Sequence, residues 1–369
     1  MDAVRLGFVG YGIMGERLLR ATLAQDPAVI AVAGVWDPSA AAMERVARDL
    51  PEVAHVGSVD DLVAASDCVY IASPPASHLG HARRALAAGR AVFCEKPLAA
   101  DLGDARAFVG EVEGGNARVA VNFPFASSFA VDQVRDWMAD DAVGTVRRVT
   151  IEVAFATWPR SWQCDAASWL DRRAEGGFTR EVGSHFLFLA RRLLGPLQLQ
   201  SASAQYPDGD LSERDIEATL TAGGVPVHLT GRVGGTDKDD HNTFEVEGAA
   251  GSIRVRDWAF AERLVGDLWT ASPDALPNER MRPLVLARQL AKVAALTRGE
   301  SQNLATVREA LEVQEVVEAI LQGPPPDEAR HPSSPRWREA SPASTRPSGW
   351  SGCCRFGFSH LLRRCFDAR

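Results

Sequence analysis

No apolar run in the 369 residues approaches the roughly 18 that span a bilayer, so a membrane role is not expected. No charged stretch followed by an apolar segment opens the chain, which enters an apolar run at Val4. A secretory leader is therefore not expected, and the sequence reads as a cytoplasmic protein. Positive charge is in deficit as well. A formal net charge of −8 argues against nucleic acid as the main partner. The six cysteines show no zinc spacing and no disulfide framework. Cys68 and Cys94 sit in apolar runs and read as small core residues, and no metal site is expected. Composition is that of an ordinary globular protein, with 46% hydrophobic and 24% charged residues, and the length favours two domains.

The most informative stretch is the first. Val4–Val9 reads as a buried strand. It runs into Gly10-Tyr11-Gly12-Ile13-Met14-Gly15 and then into a helix start at Glu16. Strand, glycine turn and helix in that order are the context of a dinucleotide fingerprint. Gly10 allows the tight turn, Gly12 lets a pyrophosphate approach the backbone, and Gly15 lets helix and strand pack closely. The helix N-terminus offers free N–H groups to the phosphates. A second strand, Ile30–Trp36, ends at Asp37, 22 residues after Gly15, where a carboxylate accepts hydrogen bonds from ribose hydroxyls. Such bonds are worth about 1.5–3 kcal/mol each. The 2′-phosphate of NADP would face Asp37, and Pro38 beside it offers no cation. NAD is the expected cofactor, and NADP the less favoured one.

Strands and helices alternate through residue 121, the pattern of a parallel sheet with helical crossovers. Cys68–Ala72, Ala91–Cys94 and Val119–Val121 read as further strands, and Ser39–Leu50, Val59–Ala65, His81–Ala88 and Asp101–Glu113 as helices. Ligands bind at the carboxyl ends of such strands. Asp37, Ser73-Pro74-Pro75, Glu95-Lys96-Pro97 and Asn122 occupy those ends. His78 is either a cofactor contact or a helix-entry histidine with no ligand. Beyond residue 125 strand-like runs at Val146–Phe155, Leu197–Gln205, Ile216–Thr221, Val225–Val233, Thr243–Glu247 and Ser252–Arg256 are joined by short turns, which implies antiparallel pairing. Helices are expected at Phe178–Leu194, Leu284–Thr297 and Leu304–Leu321. The segment 324–369 holds 7 of the 21 prolines and a net charge of +4, and reads as a disordered tail.

Together, Gly10-x-Gly12-x-x-Gly15, Ser73-Pro74-Pro75-x-x-His78, Glu95-Lys96-Pro97 and Gly176-Gly177-x-x-x-Glu181-x-Gly183-x-His185 resemble the Gfo/Idh/MocA oxidoreductases over about residues 4–322. The resemblance implies an α/β protein: an N-terminal Rossmann domain with a parallel sheet (residues 1–123), then an α/β domain with a large, mostly antiparallel open sheet (124–323). It implies homo-oligomers, dimer or tetramer, built through that sheet. It also implies hydride transfer between NAD(P) and a secondary alcohol or ketone of a sugar-, cyclitol- or polyol-like substrate. Gly10, Tyr11, Gly12, Ile13, Met14, Gly15, Asp37, Ser73, Pro74, His78, Glu95, Lys96 and Asn122 would line the cofactor. Lys96 would polarise the reacting oxygen. His185 would transfer the proton, with Glu181, on the same helical face, orienting it. The chain departs from the family pattern at Glu181 (usually aspartate), at Phe188 and Glu175 (usually an acid and a glycine), and at Phe123, where an arginine is frequent. Three other readings stay open: C=N reduction or redox-assisted glycoside cleavage with the same cofactor, and a non-catalytic dinucleotide-binding regulator. Arg160, Trp162, Trp169, Arg172, Arg173 and Arg180 flank the proposed site in sequence.

Overall fold

The computed structural model describes residues 2–323, so the expected disordered tail lies outside the described residues. The chain is α/β and carries two sheets. The first consists of β1 (Val4–Val9), β2 (Ile30–Trp36), β3 (Cys68–Ile71), β4 (Ala91–Cys94) and β5 (Val119–Val121), ordered β2-β1-β3-β4-β5, with every pair parallel. β3 and β4 are buried at every position, which is why they read as continuous apolar runs. The crossover helices are α1 (Ile13–Leu23), α2 (Ala40–Asp49), α3 (Val59–Ala65), α4 (Pro75–Ala87) and α5 (Leu102–Glu113). Ser39, Ser58 and Asp101 cap α2, α3 and α5 by accepting from the N–H groups of Ala42, Asp61 and Asp104. The chain leaves β1 in one direction for β2 and returns across it to β3. The carboxyl ends of β1 and β3 therefore open a crevice.

α4 begins at Pro75, six residues before the expected start. Pro75 stands at the first helical position, where a missing N–H has no partner to lose. His78 accordingly lies inside the helix.

The second sheet contains β6 (Val146–Phe155), β7 (Leu197–Gln205), β8 (Asp215–Ala222), β9 (Val225–Val233), β10 (His241–Gly248), β11 (Ser252–Arg256), β12 (Phe260–Val265) and β13 (Leu268–Ala271). Its order is β13-β12-β11-β10-β6-β9-β8-β7, antiparallel throughout except where β6 pairs β9 in parallel. β12 and β13 are additions to the expected set. They leave Leu264, Val265 and Leu268 exposed, so no in–out alternation marks them in the sequence. α6 (Phe129–Ala139) and α7 (Ala167–Leu170) are also additions. The expected helix 178–194 is two structures: one π-helical turn, Thr179–Gly183, running into α8 (Ser184–Leu194). α9 (Asn278–Arg298) starts before Pro283 rather than after it, and α10 (Val307–Gln322) opens with a capping box between Thr306 and Glu309.

The last two helices return to the first sheet. Leu290, Val293 and Ala294 of α9 share a core with Leu18 and Leu19 of α1 and Val46 of α2. Val313, Val317 and Ile320 of α10 join Phe108 of α5, Phe186 and Leu189 of α8, and Leu220 and Leu229 of the second sheet. Between the two helices, the Ala305 carbonyl accepts from Val121 N at 2.9 Å and closes the edge of β5.

Candidate active site

The glycine turn fits a dinucleotide sterically. A Cβ on Gly10 (φ +96°) would stand 2.7 Å from the Ala72 carbonyl oxygen, and one on Gly15 2.1 Å from that of Gly10. Only glycine lets β1, β3 and α1 approach this closely. Gly12 is different. A Cβ there would meet nothing within 4 Å, so the space in front of it is open. Gly12 is also the N-cap of α1 and brings no side-chain cap, which leaves the leading N–H groups of Ile13, Met14 and Gly15 for an anion. Asp37 lies beside this turn. Its carboxylate accepts from Tyr11 N and Ser39 N, both at 2.8 Å. The Tyr11 ring is buried in the core, and its carbonyl accepts from Arg45 at 2.8 Å. Open space, uncapped N–H groups and a neighbouring carboxylate are the donor and acceptor set that a dinucleotide requires.

The other strand-end residues divide into two groups. Ser73 and His78 brace the loops. The Ser73 hydroxyl shares a hydrogen bond with that of Ser77 at 2.6 Å, and Pro74 caps α4. The His78 ring lies between the carbonyls of Ser73 (2.7 Å) and Pro97 (2.9 Å), joining the loops that follow β3 and β4. Burial holds its pKa below the usual value. A neutral ring carries one N–H, so it donates to one of these two carbonyls. Glu95 is likewise turned inward. Its carboxylate accepts from the Tyr70 hydroxyl and from Asn122 Nδ2 at 2.6 Å, and Asn122 Oδ1 accepts from Gln289 of α9 at 2.7 Å. Burial pushes the Glu95 carboxyl up against the pull of Tyr70 and Lys96.

Lys96, one of only three lysines in the chain, points the other way. Its Nζ donates to Glu181 Oε2 at 2.5 Å and to the Glu181 carbonyl at 3.0 Å, and its side chain is 8% exposed. The far carboxylate oxygen of Glu181 faces Arg160 Nη2 at 3.5 Å and Gln163 Nε2 at 3.4 Å. Burial alone would raise the Glu181 carboxyl, but Lys96, Arg160 and Arg17 together hold it below the usual range. Arg160 is paired from behind by Asp240 at 2.9 Å.

His185 is buried, its ring edge-on to Phe123 and Trp258 at centroid distances of 5.5 and 5.4 Å. Its Nδ1 has no hydrogen-bond partner among the described residues. Burial first, then the charges of Lys96 and Arg160, hold its pKa well below the usual value, so the ring is neutral near pH 7. The expected orienting bond from Glu181 is not formed, and the carboxylate serves Lys96 instead. The cause is local. Glu181 sits in the π turn, where the i, i+4 relation of an α-helix no longer places two side chains on one face.

The departures from the family pattern fall into place here. Phe188 stacks on Phe123 at 4.5 Å, so the two form one aromatic wall beside His185. Glu175 is exposed, whereas a Cβ on Gly176 would stand 2.0 Å from the Leu170 carbonyl oxygen and one on Gly177 2.2 Å from Glu213. The two glycines that packing requires are present. Of the flanking residues, Arg160 and Trp162 reach the site. Arg180 pairs with Glu318 at 2.6 Å and Arg173 stacks on Tyr206. Arg17, Gln163, Asp240, Trp258 and Gln289 were not singled out in the sequence. Arg17 alone carried a local signal, its place two residues after the third glycine.

Residues 4–123 match a family model described as oxidoreductase family, NAD-binding Rossmann fold, and residues 131–254 match the Gfo/Idh/MocA C-terminal domain. No curated protein matches the chain. Among solved structures, an oxidoreductase from Thermotoga maritima is similar at TM-score 0.72 and 20% identity, over 87% of this chain and 96% of that one. The WlbA dehydrogenase from Bordetella pertussis, in complex with NADH and UDP-GlcNAcA, is similar at 0.71 and 20%, over 87% and 96%. KijD10, a 3-ketoreductase from Actinomadura kijaniata in complex with NADP and TDP-benzene, is similar at 0.71 and 20%, over 87% and 98%.

Proposed function

The chain belongs to the Gfo/Idh/MocA oxidoreductases, and we propose that it moves a hydride between NAD and a secondary alcohol or ketone of a sugar-, cyclitol- or polyol-like substrate. One observation carries the reading. Lys96, at the carboxyl end of β4, meets Glu181, 85 residues away, with a neutral His185 of unpartnered Nδ1 within the field of the same lysine.

When bound, NAD would supply the hydride acceptor for oxidation of the carbinol carbon, and NADH the donor for the reverse reduction. The chain does the rest. The N-terminus of α1 would hold the pyrophosphate of the dinucleotide and Asp37 its ribose hydroxyls. Lys96 donates a hydrogen bond to the reacting oxygen and faces the negative charge that grows there as the C–H bond breaks. Glu181 keeps the ammonium aimed. In oxidation His185 takes the hydroxyl proton on Nδ1, in the tautomer that carries its own proton on Nε2. In reduction it returns that proton to the oxygen. The low pKa of His185 keeps its base form populated at neutral pH.

The polypeptide divides near residue 123 into the cofactor half and the half that supplies Glu181 and His185, and copies of the chain join through the second sheet. A cofactor titration followed by a panel of sugars, cyclitols and sugar acids, read at the nicotinamide absorbance band, tests the reading. NADH binding with turnover on a polyol supports it. Binding with no turnover on any member of the panel contradicts it.

A further inference from the structure

Trp162 lies in the loop after β6 with 43% of its surface exposed, and two guanidiniums lie against its ring. Arg160, from the same loop, stands 4.6 Å from the ring centroid; Arg17, from α1, stands 5.4 Å away. A residue of the cofactor-binding half and two residues of the other half thus meet on one indole. Arg160 is balanced by Asp240 at 2.9 Å and reaches Glu181 at 3.5 Å. Arg17 has no carboxylate within 4 Å among the described residues, and its only side-chain hydrogen bond goes to the Met14 sulfur. Arg282 and Arg160 add repulsion to the burial that already disfavours its charge. Glu95, held by Tyr70 and Asn122, and Glu181 attract it from beyond contact distance. Lys96, Arg160 and Arg17 thus share this region with three carboxylates, Glu95, Glu181 and Asp240, and of the three cations only Arg17 has none of them within 4 Å among the described residues.

We infer that the substrate is an anionic sugar, whose negatively charged oxygens bind Arg17 within the field of Arg160, itself held by Gln163 and Asp240, while its ring packs beside Trp162. The inference rests on the hydride-transfer reading and names its substrate class. A guanidinium fork matches two oxygens of one carboxylate or phosphate, and an exposed indole offers an apolar face to a sugar ring. A half-buried cation with no carboxylate in contact carries a desolvation cost, and such a ligand offsets that cost on binding.

The test compares aldonic and uronic acids, sugar phosphates, and the matching neutral sugars. It uses NAD turnover and, separately, calorimetric titration of the NADH-loaded chain. Acids or phosphates are expected to exceed their neutral counterparts by about 10- to 100-fold in kcat/KM and in affinity. The arm that dominates shows whether carboxylate or phosphate is read. Arg17→Gln is expected to erase at least about tenfold of that preference, through KM, while the NADH dissociation constant moves far less. Equal or better use of neutral sugars overturns the inference. So does an Arg17→Gln variant that loses NADH more than the acid, since Arg17 would then serve the cofactor's diphosphate. So does a chain that binds none of the anions. Acid-selective binding with no turnover would instead sink the hydride-transfer reading and leave the anion subsite standing.

Discussion

Replacing Lys96 by methionine removes the ammonium while keeping most of the side-chain volume. In the proposed role the lysine acts on charge that develops only as the C–H bond breaks, so its loss is expected to fall on kcat rather than KM. Loss of one donor to a developing oxyanion typically costs about 10²- to 10³-fold, or about 2.7–4 kcal/mol. Structure adds a second, separable effect. Glu181 loses a partner at 2.5 Å and keeps Arg160 at 3.5 Å. Removing one member of a buried pair costs about 3–5 kcal/mol. Glu181 is 26% exposed and retains one cation, so a loss nearer 2 kcal/mol is expected, roughly halfway to an exposed pair.

The pH dependence follows from the direction of the shift. The Glu181 carboxyl is held below its unfolded value, so it contributes stability above that value and loses it as pH falls through the folded pKa. Without Lys96 the shift shrinks, and urea unfolding should lose less stability between pH 7 and pH 4 than in the parent chain. Turnover of the best panel sugar, NADH binding by fluorescence and urea midpoints at both pH values make up the assay. Full turnover in the variant would refute the role of Lys96. An unchanged pH dependence of stability would refute the coupling to Glu181.

Other outcomes follow from the same geometry. Because burial and two cations depress His185, the acid limb of kcat/KM for alcohol oxidation should lie below pH 6.5, and His185→Asn should abolish it; a limb above that value would contradict the assignment. Gly12→Ala adds a Cβ that meets nothing within 4 Å, so thermal stability should shift by less than about 1 kcal/mol while NADH affinity falls at least tenfold. A large stability loss would show that the space is not free. Asp37 opposes a 2′-phosphate, so NADH should bind at least about tenfold tighter than NADPH in a direct titration, and equal affinities would count against it.

What was legible in the sequence was local. Val4–Val9, the glycine turn and Asp37 are set by short-range sterics and by burial on both sheet faces, and these leave a direct pattern in residue types. Lys96 was legible through Glu95-Lys96-Pro97. Its partner's behaviour was not, because a π turn and an α turn are written in the same residues, and only packing selects one. His78 shows the same limit. A histidine at the end of a strand loop looks the same whether it faces a ligand or two carbonyls. β12 and β13 escaped because their apolar residues are exposed. Arg17, Asp240 and Gln289 matter through contacts across sequence separations that no window spans.

The return of α9 and α10 to the first sheet has a consequence for biosynthesis. The core behind β1 is completed by Leu290, Val293 and Ala294, and the edge of β5 is closed by Ala305. A ribosome that has released only the first 123 residues has made every strand of the parallel sheet but not the helix that covers one of its faces. The nucleotide-binding half must wait, with that part of its core open, until about 170 further residues emerge. Its folding is therefore tied to the emergence of α9, and a nascent chain arrested before that helix is a natural client for chaperones.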